Sequence, residues 1–218
     1  MLRVLLVRHG QTEWNAGSCV GEHFRGRIDI GLNATGIAQA RSVAAYLAPL
    51  QVRAVYTSPL KRALDTARPI AQAHGLDVTP LPGLLDIHYG QWGGRSLDEV
   101  AAQWPELYRL WKTMPHLVQI PGGESLDDVR RRVSEGLEQV FAGHDRQIVV
   151  LVGHQVVNKV LICKVLGLDN SAFWRIRQDT GCINRFDYDS ASFILLTLNE
   201  LCHLPAQPRD LDELAGEG

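Results

Sequence analysis

Residues Leu2–Asn15 read LRVLLVRHGQTEWN, and the junction inside that stretch decides the fold. Leu2 to Val7 is almost continuously apolar, the pattern of a strand covered on both faces. The run ends in Arg8 and His9, two side chains that are costly to dehydrate, followed by Gly10. A buried strand with such an ending fits an open α/β sheet, whose ligand crevice lies outside the carboxyl ends of its strands.

The pattern continues outward from there. Further strands are expected at Arg53–Thr57, Gln147–Val152, Ile183–Tyr188 and Phe193–Leu198, alternating with helices. This predicts a three-layer α/β/α domain with a mostly parallel, mixed central sheet, whose last two strands form a hairpin across Asp189–Ser192. Asn33 caps a helix with the stripe Ile37, Ala40, Ala44 and Leu47, and Leu32 with Ile37 has hydrophobic-staple spacing. Ser58-Pro59 reads as a cap and first helical proline of a helix running to about His74, ended by Gly75 and kinked or interrupted at Pro69. Ser125 with Asp128 resembles a capping box ahead of the stripe Leu126, Val129, Val133, Leu137 and Val140. The helix after His154 carries Val157, Val160, Leu161 and Val165 and closes at Gly167. Between Gly90 and Gly123 the composition shifts to Trp92, Trp104 and Trp111 among prolines, with a Ser96/Glu99 capping box and a break at Pro105. We read residues 1–218 as one domain with a cap-like insertion at about 91–123.

Composition narrows the partners. With 45% hydrophobic and 21% charged residues the chain has a soluble, globular profile, and a net charge of -2 gives no reason to expect nucleic acid or an anionic membrane. The N-terminal apolar run is short for a signal peptide, and no segment is long enough to span a bilayer. Cys19, Cys163, Cys182 and Cys202 lack CxxC or regular spacing, which points to reduced thiols and a cytoplasmic setting.

Three strand ends share one design: Arg8-His9 after the first, Arg62 just inside the helix after TSP, and Gly153-His154 after IVVLV. Gathered at the carboxyl edge, Arg8 and Arg62 supply forked donors for a tetrahedral anion. The amino end of the helix carrying Arg62 adds positive potential. A neutral imidazole can attack phosphorus, and a second can donate to the equatorial oxygens. A metal site is disfavoured, because the arginines would repel a dication and no carboxylate pair accompanies the histidines.

The sequence resembles the histidine phosphatase superfamily, also called phosphoglycerate-mutase-like. LVRHGQTEWN matches its signature, and TSPLKRALDTA, LLDIHYGQWGG, PGGESLDDVRRRV and VVLVGHQVVNKVLICKVLG follow as its later blocks, in order, from Leu2 to about Tyr188. The resemblance implies that His9 is a nucleophile that becomes phosphohistidine. It implies a phosphate pocket of Arg8, Arg62 and His154, helped by Asn15, with Gly10 permitting tight backbone behind the nucleophile and no cofactor or metal. Most members carry glutamate where this chain has Asp86, the expected proton donor to the leaving oxygen. Glu22 and Glu124 stand as reserve acids, and His23 and His88 as candidate contacts to substrate. His74, His116 and His144 are expected at the surface or in caps.

The resemblance leaves two enzyme classes and a non-catalytic phosphoryl-binding protein to weigh. Cofactor-dependent mutases carry a long insertion between the blocks that here hold Gly90 and Glu124, and this chain lacks it. That favours a phosphatase of a small phosphate ester. The DIHYGQWGG block, the tryptophan-rich segment and LNELCHL are similar to metal-independent phosphoserine phosphatases, with α-ribazole and glucosyl-3-phosphoglycerate phosphatases as related readings. An exposed sheet edge after Leu198 is where a homodimer would form.

Overall fold

The computed structural model describes residues 1–15, 23–189 and 192–205. The chain lays down β1 (Leu2–Arg8), α1 (Ala34–Leu47), β2 (Val52–Thr57), α2 (Lys61–Ala73), β3 (Val78–Pro80), α3 (Leu97–Gln103), α4 (Pro105–Thr113), α5 (Leu126–Gly143), β4 (Ile148–Gly153), α6 (Gln155–Val165), β5 (Ile183–Asp189) and β6 (Ser192–Glu200). The sheet order is β3-β2-β4-β1-β5-β6. The first four strands of that order are parallel, and β5 and β6 enter antiparallel to their neighbours. The mixed α/β sheet is therefore the one the strand pattern predicts. β3 was not foreseen: it is three residues long, ends in proline and sits at the edge.

Alternation along β1 builds two cores. Leu5 and Val7 join Val150 and Val152 under α1 and α2, whereas Val4 and Leu6 join Val149 and Leu151 under α5, α6 and the tryptophans of the inserted segment. α6 is apolar nearly all round because it is enclosed; Val157, Val160, Leu161 and Ile162 have no exposed surface. Burying each such side chain contributes about 1.5–3 kcal/mol, so the helix that begins beside His154 is firmly held.

Both capping boxes form, at Ser96/Glu99 and Ser125/Asp128, and Asn33 accepts from Gly36 N–H. Pro105 separates α3 from α4 as expected. Two local expectations fail, and a third fails in one of its two forms. Ile37 faces solvent, so there is no staple; Gly36 instead presses on the loop after β1, where a Cβ would lie 2.1 Å from the Gln11 carbonyl oxygen, and that approach rotates Ile37 outward. Ser58 does not cap α2, whose N-cap is Leu60: the Ser58 hydroxyl accepts from His154 Nε2 at 2.7 Å and from the Leu60 amide at 3.4 Å, and the Lys61 amide donates to Asp29 at 2.7 Å. Pro69 neither ends nor divides α2, which runs unbroken to Ala73; the missing N–H costs one helical bond near its end. Cys163 and Cys182 are buried thiols and Cys202 is exposed; Cys19 and Glu22 lie outside the described residues. Among the described residues no helix is long and apolar enough to cross a membrane.

Candidate active site

Three neighbouring strands deliver the site. Ser58 N–H bonds Val152 O at 2.9 Å, and His9 N–H bonds Gly153 O at 3.0 Å, so the ends of β2, β4 and β1 stand side by side. Ser58, His154 and His9 thus emerge in a row, the two imidazole centroids 5.1 Å apart. Gly10 has to be glycine: a Cβ there would fall 2.5 Å from Gly36 O, and the Gly10 amide is tied to Thr66 on α2 at 3.1 Å. β3 pairs with β2 and so brings the following loop, with Asp86, to the same edge.

His9 is 1% exposed. Its Nδ1 faces the Gly10 carbonyl oxygen at 2.7 Å, and a carbonyl only accepts, so Nδ1 carries the proton and Nε2 keeps its lone pair. Burial, then the positive charges of Arg62, Arg8 and Arg25, hold the His9 pKa well below 6.5. The ring is therefore neutral and nucleophilic at neutral pH. His154 is lowered likewise, first by burial and then by Arg62. Arg8 is buried, donates to the Gln178 carbonyl, and is pushed down to about 10 by burial above all; it remains a cation. Arg62, fully buried, donates to His154 Nδ1 at 3.2 Å, Ile28 O at 2.9 Å, Gly26 O at 2.7 Å and Asp86 Oδ2 at 3.2 Å.

Asp86 thus reaches the cluster despite its short side chain; its Oδ2 lies 3.9 Å from His154 Nδ1. The loop is pulled in by Arg132, which donates to the carbonyls of Gly83, Leu85 and Asp86 at 2.8, 2.6 and 3.2 Å. Glu124 sits outside the cluster, between Arg132 (2.8 Å) and Arg27 (3.1 Å). Burial alone would raise its carboxyl, but bonds from Arg132 and the His88 amide outweigh that and hold it below the ordinary range, which unsuits it as an acid.

A cavity of about 240 Å³ opens above, lined by Arg25, Asp86, Tyr89, Trp111, Gln155 and Trp174 among others. His23 lines it too and stacks on Trp14 with centroids 5.0 Å apart. His88 is exposed and absent from the lining; its main chain holds Glu124. Asn15 accepts from the Thr12 amide at 2.7 Å, and its buried Nδ2 has no partner among the described residues, a donor available to an anion. Arg25 and the seating role of Ser58 were missed by sequence reasoning. Arg25 stands in an aperiodic loop with only Gly26 beside it as a signal. Among the described residues no cluster of His, Cys, Asp and Glu is arranged to hold a metal.

An anion hole built on strand ends, with a neutral imidazole at its floor, is the arrangement of a phosphoryl-transfer site. The model of the histidine phosphatase superfamily (branch 1) matches residues 4–201, and the chain belongs to that superfamily. It is a phosphatase by class. It is 37% identical over 204 residues to phosphoserine phosphatase 1 of Hydrogenobacter thermophilus, covering 94% of this chain and 95% of that one. It is 33% identical over 219 residues to a probable phosphoglycerate mutase of Serratia proteamaculans, covering 98% and 99%. The crystal structure of a phosphoserine phosphatase from Entamoeba histolytica with 3-phosphoglyceric acid superposes with a TM-score of 0.81 at 26% identity, over 94% of this chain and all of that one (100%).

Proposed function

We propose that this chain hydrolyses small acidic phosphomonoesters, phosphoserine foremost, through a phosphohistidine on His9. The observation that carries the reading is the neutral, tautomer-fixed His9 beside Arg8 and Arg62. Nε2 attacks phosphorus, the ester P–O bond breaks, and Asp86 gives its proton to the leaving oxygen. Water then attacks the phosphoimidazole, its proton passing to Asp86, and phosphate leaves. Arg8 and Arg62 neutralise the phosphoryl oxygens as charge shifts, Asn15 Nδ2 donates to them, and neutral His154 accepts from Arg62 and so helps to hold it in place. The phosphoserine phosphatase relatives support the substrate.

The mutase relative favours a second reading, in which phosphohistidine returns its phosphoryl group to a sugar acid. Among the described residues the segment between Gly90 and Gly123 contributes α3, α4 and short turns, and cavity-lining Trp174 is 42% exposed, which favours hydrolysis over transfer. The deciding experiment measures phosphate release from phosphoserine and 3-phosphoglycerate against conversion of 3- to 2-phosphoglycerate primed with 2,3-bisphosphoglycerate. Hydrolysis should dominate; faster isomerisation reverses the ranking. The reading extends to a cytoplasmic homodimer joined at β6, whose outward Ile194, Leu196 and Leu198 form an apolar row on the edge strand. Sedimentation velocity checks it.

A further inference from the structure

Arg25 is a third guanidinium in the site, and it is held as lightly as Arg8, not anchored like Arg62. Its loop is stitched to the start of the inserted segment: Phe24 N–H donates to Arg95 O at 3.0 Å and Gly94 N–H to Phe24 O at 2.9 Å. The side chain is only 8% exposed. Among the described residues its hydrogen bonding is one long contact, Nη1 to Thr12 Oγ1 at 3.4 Å, and its buried Nε has no partner there. Among the described residues no carboxylate pairs with it, whereas Arg62 has Asp86. A buried cation without an anion is costly, and such a group is ordinarily kept for a ligand.

Position and charge identify that ligand. Arg25 lines the cavity, and Arg8 and Arg62 are not among its lining residues. A phosphate dianion balances two of the three guanidiniums. When Asp86 carries the proton that it must donate, one guanidinium, Arg25, is left over on the cavity wall, which also carries Lys112. We propose that Arg25 binds a carboxylate on the alcohol half of the substrate and so selects acidic phosphomonoesters. A monoanion matches the buried Arg25, Lys112 being exposed to solvent, and a planar carboxylate matches the fork of a guanidinium. This rests on the phosphatase reading above and narrows it to phosphate esters of hydroxy or amino acids.

The test pairs esters that differ at one group: 3-phosphoglycerate with glycerol 3-phosphate, and phosphoserine with phosphoethanolamine. Phosphate release by the native enzyme should have kcat/KM about 10- to 100-fold higher for the carboxylate member of each pair, the worth of one charge-assisted bond. Arg25→Gln should cut kcat/KM for the carboxylate member at least about tenfold more than for its partner, chiefly through KM, and Arg25→Lys should recover part of that gap. Native enzyme that treats the paired esters alike overturns the proposal without reference to any variant. Equal losses for both members in Arg25→Gln also overturn it, making Arg25 a phosphate ligand or a packing residue. No phosphate release from any ester, p-nitrophenyl phosphate included, would instead sink the phosphatase reading itself.

Discussion

The Nε–H of Arg62 donates to Nδ1 of His154 across 3.2 Å, and because a guanidinium can only donate, that bond fixes the imidazole tautomer. Nε2 must then carry the proton, which it gives to the Ser58 hydroxyl at 2.7 Å. The serine of TSP is thus a seat for the second histidine. Ser58→Ala should leave the ring held at one end only. We expect kcat to fall about three- to tenfold and stability by about 1 kcal/mol, the worth of one buried hydrogen bond. Kinetics and urea unfolding of the variant check this; unchanged values in both would make the contact incidental.

His9→Ala should remove turnover while leaving the fold, since the ring's hydrogen bond is only to its neighbour Gly10. With labelled substrate and a quench that avoids acid, the native enzyme should yield an acid-labile phosphoenzyme and the variant none. Substantial residual activity in the variant would move the nucleophile elsewhere.

Asp86→Asn should separate substrates by leaving group. An alkoxide needs a proton in the transition state, and a positioned acid contributes about 10²–10⁴-fold. The phosphorylation step should therefore slow strongly with phosphoserine. p-Nitrophenyl phosphate should keep its burst, because the phenolate departs with little help, even if later turnover is slow. Equal loss with both would mean that Asp86 serves mainly to pair with Arg62.

The two depressed imidazoles make stability pH-dependent. The unfolded chain takes up protons near 6.5, while folded His9 and His154, buried among arginines, refuse them until far lower pH. The unfolded state thus binds more protons in that window, and stability falls as pH drops below 6.5. Each ring should contribute a slope of about 1.4 kcal/mol per pH unit. Urea unfolding of the ligand-free enzyme at pH 7.5, 6.5 and 5.5 measures the loss, and His154→Gln should remove one ring's share. Equal slopes for the variant and the native enzyme would contradict it.

The strand ends were readable because burial on both faces writes a continuous apolar run, and Arg8, His9 and His154 interrupt such runs. Caps at Asn33, Ser96 and Ser125 were readable because they act within one turn. Ser58 was misread because its local pattern suits a cap, while the partners that decide its role, His154 and Asp29, lie far away in sequence. β3 was lost because three edge residues carry no period. Arg25 was lost because its meaning lies in having no counter-ion among the described residues, and only packing reveals that.

Glu124 touches no group of the anion hole, yet its two oxygens gather Arg132, Arg27 and the His88 amide, and Arg132 and Arg27 in turn grip the main chain at Asp86. An alanine scan ranked by lost turnover would therefore score Glu124 next to Asp86 and tempt the reader to assign a second proton donor. The two kinds of defect differ in degree, because both fall on the same acid. Glu124→Ala misplaces Asp86 and should slow phosphoserine more than p-nitrophenyl phosphate, but by less than Asp86→Asn, which removes the acid.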